Sequence, residues 1–99
     1  MRIEYAPRAI ADRLEIIAYY RAVAGRHIAE SFDQQLSDVI RRLLISPRMG
    51  PPVSARPGVR ALLLRRFPYK VFYRASPEVI LILHIRHTAR KPLRSGQSG

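Results

Sequence analysis

The chain has 99 residues, 47% apolar and 25% charged, with a formal net charge of +11 and no internal repeat, which is the profile of one folded domain around one modest core. It contains no cysteine, which excludes disulfides, thiolate catalysis and cysteine-based zinc sites, and its three histidines lack clustered carboxylates, so neither a metal nor a cofactor is expected. The positive excess predicts attraction to nucleic acid, a nucleoprotein machine or an acidic protein, and it lies in the second half: residues 1–50 carry eight Lys or Arg against six Asp or Glu, residues 51–99 ten against the single acid Glu78.

In chain order, "MRIEY" alternates apolar Met1, Ile3 and Tyr5 with Arg2 and Glu4, the period of a half-buried strand. Pro7 suits a helical first turn, and Ile10, Leu14 and Ile17 then follow helical spacing, with Asp12, Arg13 and Arg21 off that stripe, until Gly25 ends the helix. Ile28, Phe32, Leu36, Val39 and Leu43 define a second helix that Pro47 closes, so the two should form an antiparallel hairpin. The Pro- and Gly-rich segment 46–58 is a surface loop. Three strand-like segments follow, "VRALLLRRF", "YKVFYR" and "VILILHIRH", the last two joined by the tight turn "ASPE".

This order of elements predicts an α+β fold: an N-terminal strand, a two-helix antiparallel hairpin and a three-stranded antiparallel sheet, with the helices on one face. Residues 1–94 are expected to form the single domain, and residues 95–99 a disordered tail. "VILIL" is apolar on both sides, Val79, Leu81 and Leu83 on one and Ile80 and Ile82 on the other, so the second face needs a cover: the 46–58 loop, a homodimer partner or a segment of another protein. The N-terminus has no apolar signal core, and the longest aliphatic run, Val79 to Leu83, is too short to span a bilayer, so a cytoplasmic protein without a membrane partner is expected.

The chemistry concentrates in "RRFPYKVFYR". Alternation sends Val71 and Tyr73 toward the core and Lys70, Phe72 and Arg74 the other way, where cations beside a ring suit a polyanion or an acidic segment. Arg60, Arg65, Arg66, Arg86 and Arg90 add to that binding surface. His84 and His87, three apart on a strand, point to opposite faces and cannot share a metal. The acids are dispersed along the helices, and there is no paired-carboxylate, serine-elbow or phosphate-loop motif.

Taken together, "SPRMGPP", "GVRALLLRRFPYKVFYR" and "VILILHIRHTARKP" resemble the toxins of bacterial toxin–antitoxin modules in the RelE/ParE superfamily, with the ParE branch the nearer fit, over about residues 3–92. In that resemblance Gly50 and Pro52 match the family's Gly-x-Pro loop, Gly58 and Arg60 the start of a strand, Tyr69, Lys70 and Tyr73 a strand motif, and His87 a terminal histidine; Pro51 and Lys70 depart from it. It implies a cognate antitoxin as partner and one of two targets. The gyrase-poisoning branch implies no catalytic residues, whereas the ribosome-dependent branch cuts messenger RNA and would enlist Lys70, His87 and Arg65. The stretch "GPPVSARPGVRALLL" has no Glu, Asp or Lys to act as a base, which favours DNA gyrase over the ribosome and messenger RNA.

Overall fold

The computed structural model describes residues 1–89, so Arg90 and the expected tail at 95–99 lie outside the described residues. The elements run β1 (Arg2–Tyr5), α1 (Pro7–Ala24), α2 (Arg26–Arg42), β2 (Val59–Leu63), β3 (Tyr69–Ala75) and β4 (Val79–His87). Each follows from the pattern that predicted it: Pro7 opens α1, Gly25 alone separates the two helices, and the alternating segments 69–75 and 79–87 pair as an antiparallel hairpin. The sheet order is β1-β4-β3-β2, with β1 parallel to β4. The three antiparallel strands are therefore as expected, and the N-terminal strand extends them to a mixed four-stranded sheet. No helix among the described residues is long and apolar enough to cross a membrane.

One face of the sheet carries the helices. Val71, Tyr73, Ile80, Ile82 and Ile85 are buried there against Phe32, Leu36, Val39 and Ile40 of α2 and Ala9 and Ile16 of α1. Both isoleucines of "VILIL" turn inward, while Val79, Leu81 and Leu83 lie half-buried on the other face.

The stripe predicted for α1 is corrected in part by the structure. Ile10 and Leu14 are 49% and 62% exposed, whereas Ile17 packs against the core as expected, beside Ala9, Ile16 and Tyr20 and together with two polar residues. Those two, Asp12 and Arg13, point inward because each has a partner there. The Arg13 guanidinium donates to Asp33 Oδ1 at 2.7 Å, to Ser37 Oγ at 2.6 Å and to the Tyr5 hydroxyl at 3.3 Å, tying α1 to α2 and β1. Asp12 accepts the backbone N–H of Ile85 at 3.0 Å through Oδ2. β1 ends at Tyr5, opposite Ile82, so on the side away from β3 β4 has no strand neighbour beyond that point, and the Asp12 carboxylate takes the place of the missing strand there.

Candidate functional site

The helix-free face of the sheet is built by the cross-strand pairs Phe72–His84, Lys70–Arg86 and Arg74–Leu81, whose members point the same way in an antiparallel ladder. His84 reaches this face through a β-bulge. Tyr73 pairs with Ile82 and Phe72 with His84, so Leu83 is the extra residue and the alternation inverts across it. Ile80 and Ile82 face the core, and an unbroken period of two would carry His84 there as well. The bulge instead sets the His84 ring parallel to Phe72, with centroids 4.4 Å apart and planes at 13°, and returns Ile85 to the core.

The loop reaches over this stack. Arg56 lies above the Phe72 ring, 5.6 Å from its centroid, and its Nη1 sits 2.9 Å from His84 Nε2. Guanidinium is only a donor, so Nε2 must accept and the imidazole must be neutral. Burial first, and then the positive charge of Arg56, hold the His84 ring below its ordinary value of 6.5; Arg86 and Arg8 push the same way and Asp12 opposes them. The 46–58 loop thus covers the Phe72–His84 pair through Arg56.

This geometry fixes the sign of a pH effect. The unfolded chain takes up a proton on His84 as pH falls through about 6.5 while the folded chain resists, so this contribution to stability is complete above that pH and is lost below it. The melting temperature should drop more between about pH 7.5 and about pH 5.5 in the parent than in His84→Gln, His27 and His87 being common to both. Parallel pH profiles would show that His84 titrates alike folded and unfolded.

Four of the residues that carried the family pattern, Gly50, Gly58, Arg60 and Tyr73, hold the loop or let it pass close to the sheet. Tyr73, fully buried, donates its hydroxyl proton to the Pro47 carbonyl at 2.7 Å and accepts the Gly50 N–H at 3.0 Å. Arg60 Nη1 donates to the Gly50 carbonyl at 2.8 Å. A Cβ on Gly50 would lie 2.8 Å from the Ala61 carbonyl oxygen, so only glycine lets the loop pass this close to β2. Gly58 adopts φ +79°, and a Cβ there would lie 2.7 Å from Arg74 Nη1, the same nitrogen that donates to Pro57 O at 3.0 Å. Arg60 and Arg74, both predicted as binding cations, therefore work as loop anchors, Arg74 keeping an exposed side chain.

The other predicted residues separate into three places. Lys70 and Arg86 stand exposed and opposite one another on the helix-free face, beside Phe72. Arg65 and Arg66 are exposed in the turn between β2 and β3. His87 pairs with Tyr69 on the helix face, edge-on to its ring at 5.1 Å, and its Nδ1 accepts the Ala89 N–H at 3.0 Å. Lys70 and His87 are thus on opposite sides of the sheet. Sequence reasoning missed Arg56, Asp12 and Arg13, and no periodic signal marks them. Among the described residues no cluster of His, Asp or Glu is placed to hold a metal.

Residues 3–92 match the family of ParE toxins of the type II toxin–antitoxin system parDE, and the chain belongs to that family. Among solved structures, it is similar to a chain of the chromosomal ParDE system from P. aeruginosa, with TM-score 0.77 and 27% identity over 88% of this chain and 95% of that one. It shares its fold with a chain of the intact E. coli RelBE toxin–antitoxin complex, with TM-score 0.61 and 20% identity over 90% of this chain and 96% of that one. The isolated E. coli RelE toxin has the same fold, with TM-score 0.60 and 19% identity over 90% and 85% of the two chains. A search of curated proteins returned no match.

Proposed function

We propose that this toxin acts in the cytoplasm by binding rather than by chemistry, that its target is DNA gyrase, and that a cognate antitoxin neutralises it by covering the helix-free face of the sheet. The observation that supports binding over catalysis is the divergence of the residues an RNase reading would enlist. Lys70 projects from one face and His87 from the other, with its Nδ1 already occupied, while Arg65 lies in the turn beyond the strands. Acid–base catalysis on one phosphodiester needs its groups within hydrogen-bond reach of the same atoms. His84, the histidine on the face of Lys70, is held by Arg56 instead.

The antitoxin reading rests on the composition of that face. Phe72, Leu81 and Leu83 form a half-buried apolar strip edged by the exposed cations Lys70 and Arg86. An acidic amphipathic segment can cover the strip with its apolar side while its carboxylates meet the rim, the rim mainly setting the rate of encounter. The structures of P. aeruginosa ParDE and E. coli RelBE, toxin–antitoxin systems by their descriptions, make such a partner the natural occupant.

Ribosomes programmed with messenger RNA test the catalytic alternative. The purified protein should leave the message intact. Cuts in the decoding site that disappear with Lys70→Ala and His87→Ala would replace the gyrase reading with the ribosome-dependent one.

A further inference from the structure

Beside the β2–β3 turn, away from the face assigned to the antitoxin, α2 and that turn enclose an open cleft of about 200 Å³. Ser31, Gln34, Gln35, Arg42, Arg65 and Arg66 line it. The backbone N–H of Arg66 donates to Gln35 Oε1 at 3.1 Å, which consumes the acceptor end of that amide and leaves its NH2 group. The one acid in the cleft, Asp38, is already engaged by Arg41 and by Gln34 Nε2. None of Arg42, Arg65 and Arg66 has a carboxylate partner among the described residues. The polar lining is therefore rich in donors, three guanidiniums, the Gln35 NH2 and the Ser31 hydroxyl, against Gln34 Oε1 and Asp38 Oδ2 as acceptors.

We infer that this cleft is a binding site for the sugar–phosphate backbone of duplex DNA, making sequence-independent contacts through Arg42, Arg65 and Arg66. A phosphodiester offers only acceptors and carries a permanent charge, which matches such a lining, and a guanidinium fork engages two of its oxygens at once. An acidic protein segment fits less well, because interface cores are apolar and the only apolar residue lining this cleft is Val39, itself buried in the core. Single strands are usually held by stacking bases on aromatic rings, and no aromatic side chain lines the cleft; the nearby Phe67 is packed against Tyr20 and Phe32.

The inference does not depend on gyrase, since it is read on DNA alone.

Fluorescence anisotropy of a labelled duplex, titrated at several salt concentrations, tests it. The variant Arg42→Gln/Arg65→Gln/Arg66→Gln should bind more weakly and make the plot of log affinity against log salt shallower by about 2 to 3, at roughly 0.9 per lost phosphate contact. Arg65→Gln/Arg66→Gln alone, which leaves the helix untouched and keeps the Arg66 N–H bond to Gln35, should lose about two-thirds of that slope. A charge-matched control, Arg21→Gln/Arg26→Gln/Arg48→Gln, should change the slope far less. Equal losses in the cleft and control variants would mean that DNA responds only to net charge, and the site would be withdrawn. It would equally be withdrawn if the cleft variants kept duplex binding and lost binding to polyglutamate, since the cleft would then belong to an acidic protein.

Discussion

Replacing Tyr73 by Phe is expected to lower the melting temperature by about 10 °C, although it removes a single oxygen and leaves the ring in place. That oxygen joins two distant pieces of the chain: it donates to Pro47 O and accepts from Gly50 N, in a pocket where the tyrosine is fully buried. Without it, a buried N–H and a carbonyl lose their partner. A buried polar group left unsatisfied costs about 1–3 kcal/mol, and for a domain of this size each kcal/mol moves the midpoint by about 4–8 °C. The loop should loosen around Gly50 at the same time, although Arg60 Nη1 on the Gly50 carbonyl and the Ala61 N–H on the Pro51 carbonyl at 3.1 Å still tie it to β2. Hydrogen exchange at residues 48–50 checks this: faster exchange at the Gly50 amide is expected, whereas an unchanged midpoint and unchanged exchange would show that water replaces the hydroxyl without loss.

The second large effect is expected at Arg13. Arg13→Ala should destabilise the fold by about 2–3 kcal/mol, less than the full cost of breaking a wholly buried pair because the Asp33 side chain is 46% exposed and can be rehydrated. The guanidinium, 20% exposed, bonds Asp33, Ser37 and the Tyr5 hydroxyl, so three elements lose one shared tie. A double-mutant cycle with Asp33→Ala separates the ion pair from the rest. A coupling energy of about 1 kcal/mol or more is expected, and additive losses would show that Arg13 acts through packing alone.

Most of the architecture was legible from residue patterns because the signals were local. Pro7 and Gly25 bound α1, Pro47 follows α2, and strict alternation marks β3 and the first half of β4. What was not legible depends on contacts between distant parts of the chain. The inward stripe of α1 was partly misassigned because Ile10 and Leu14 outrank Asp12 and Arg13 in hydrophobicity, and only the third dimension supplies Ile85 N–H and Asp33 as partners that draw those polar side chains in.

For the site, the bulge at Leu83 is the decisive feature that no spacing announces. It places His84 on Phe72 and gives Arg56 an acceptor. The placement of Lys70 and Phe72 on the helix-free face followed from alternation, as did the separation of His84 from His87, whereas Arg86 reaches that face only through the bulge. That Arg60 and Arg74 also anchor the loop was not legible, because an exposed cation and a carbonyl-binding cation are written with the same letter. Their partners, Gly50 O and Pro57 O, lie in a loop whose path the sequence does not reveal.

The most direct test of the reading as a toxin that binds rather than cuts is a supercoiling assay with purified gyrase, relaxed plasmid and this protein in increasing amounts. Supercoiling should fall, or gyrase-linked cleaved DNA should accumulate, in proportion to the protein added. His87→Ala should inhibit as well as the parent, because that side chain lies on the helix face. Undiminished supercoiling with the protein in molar excess over gyrase would contradict the account.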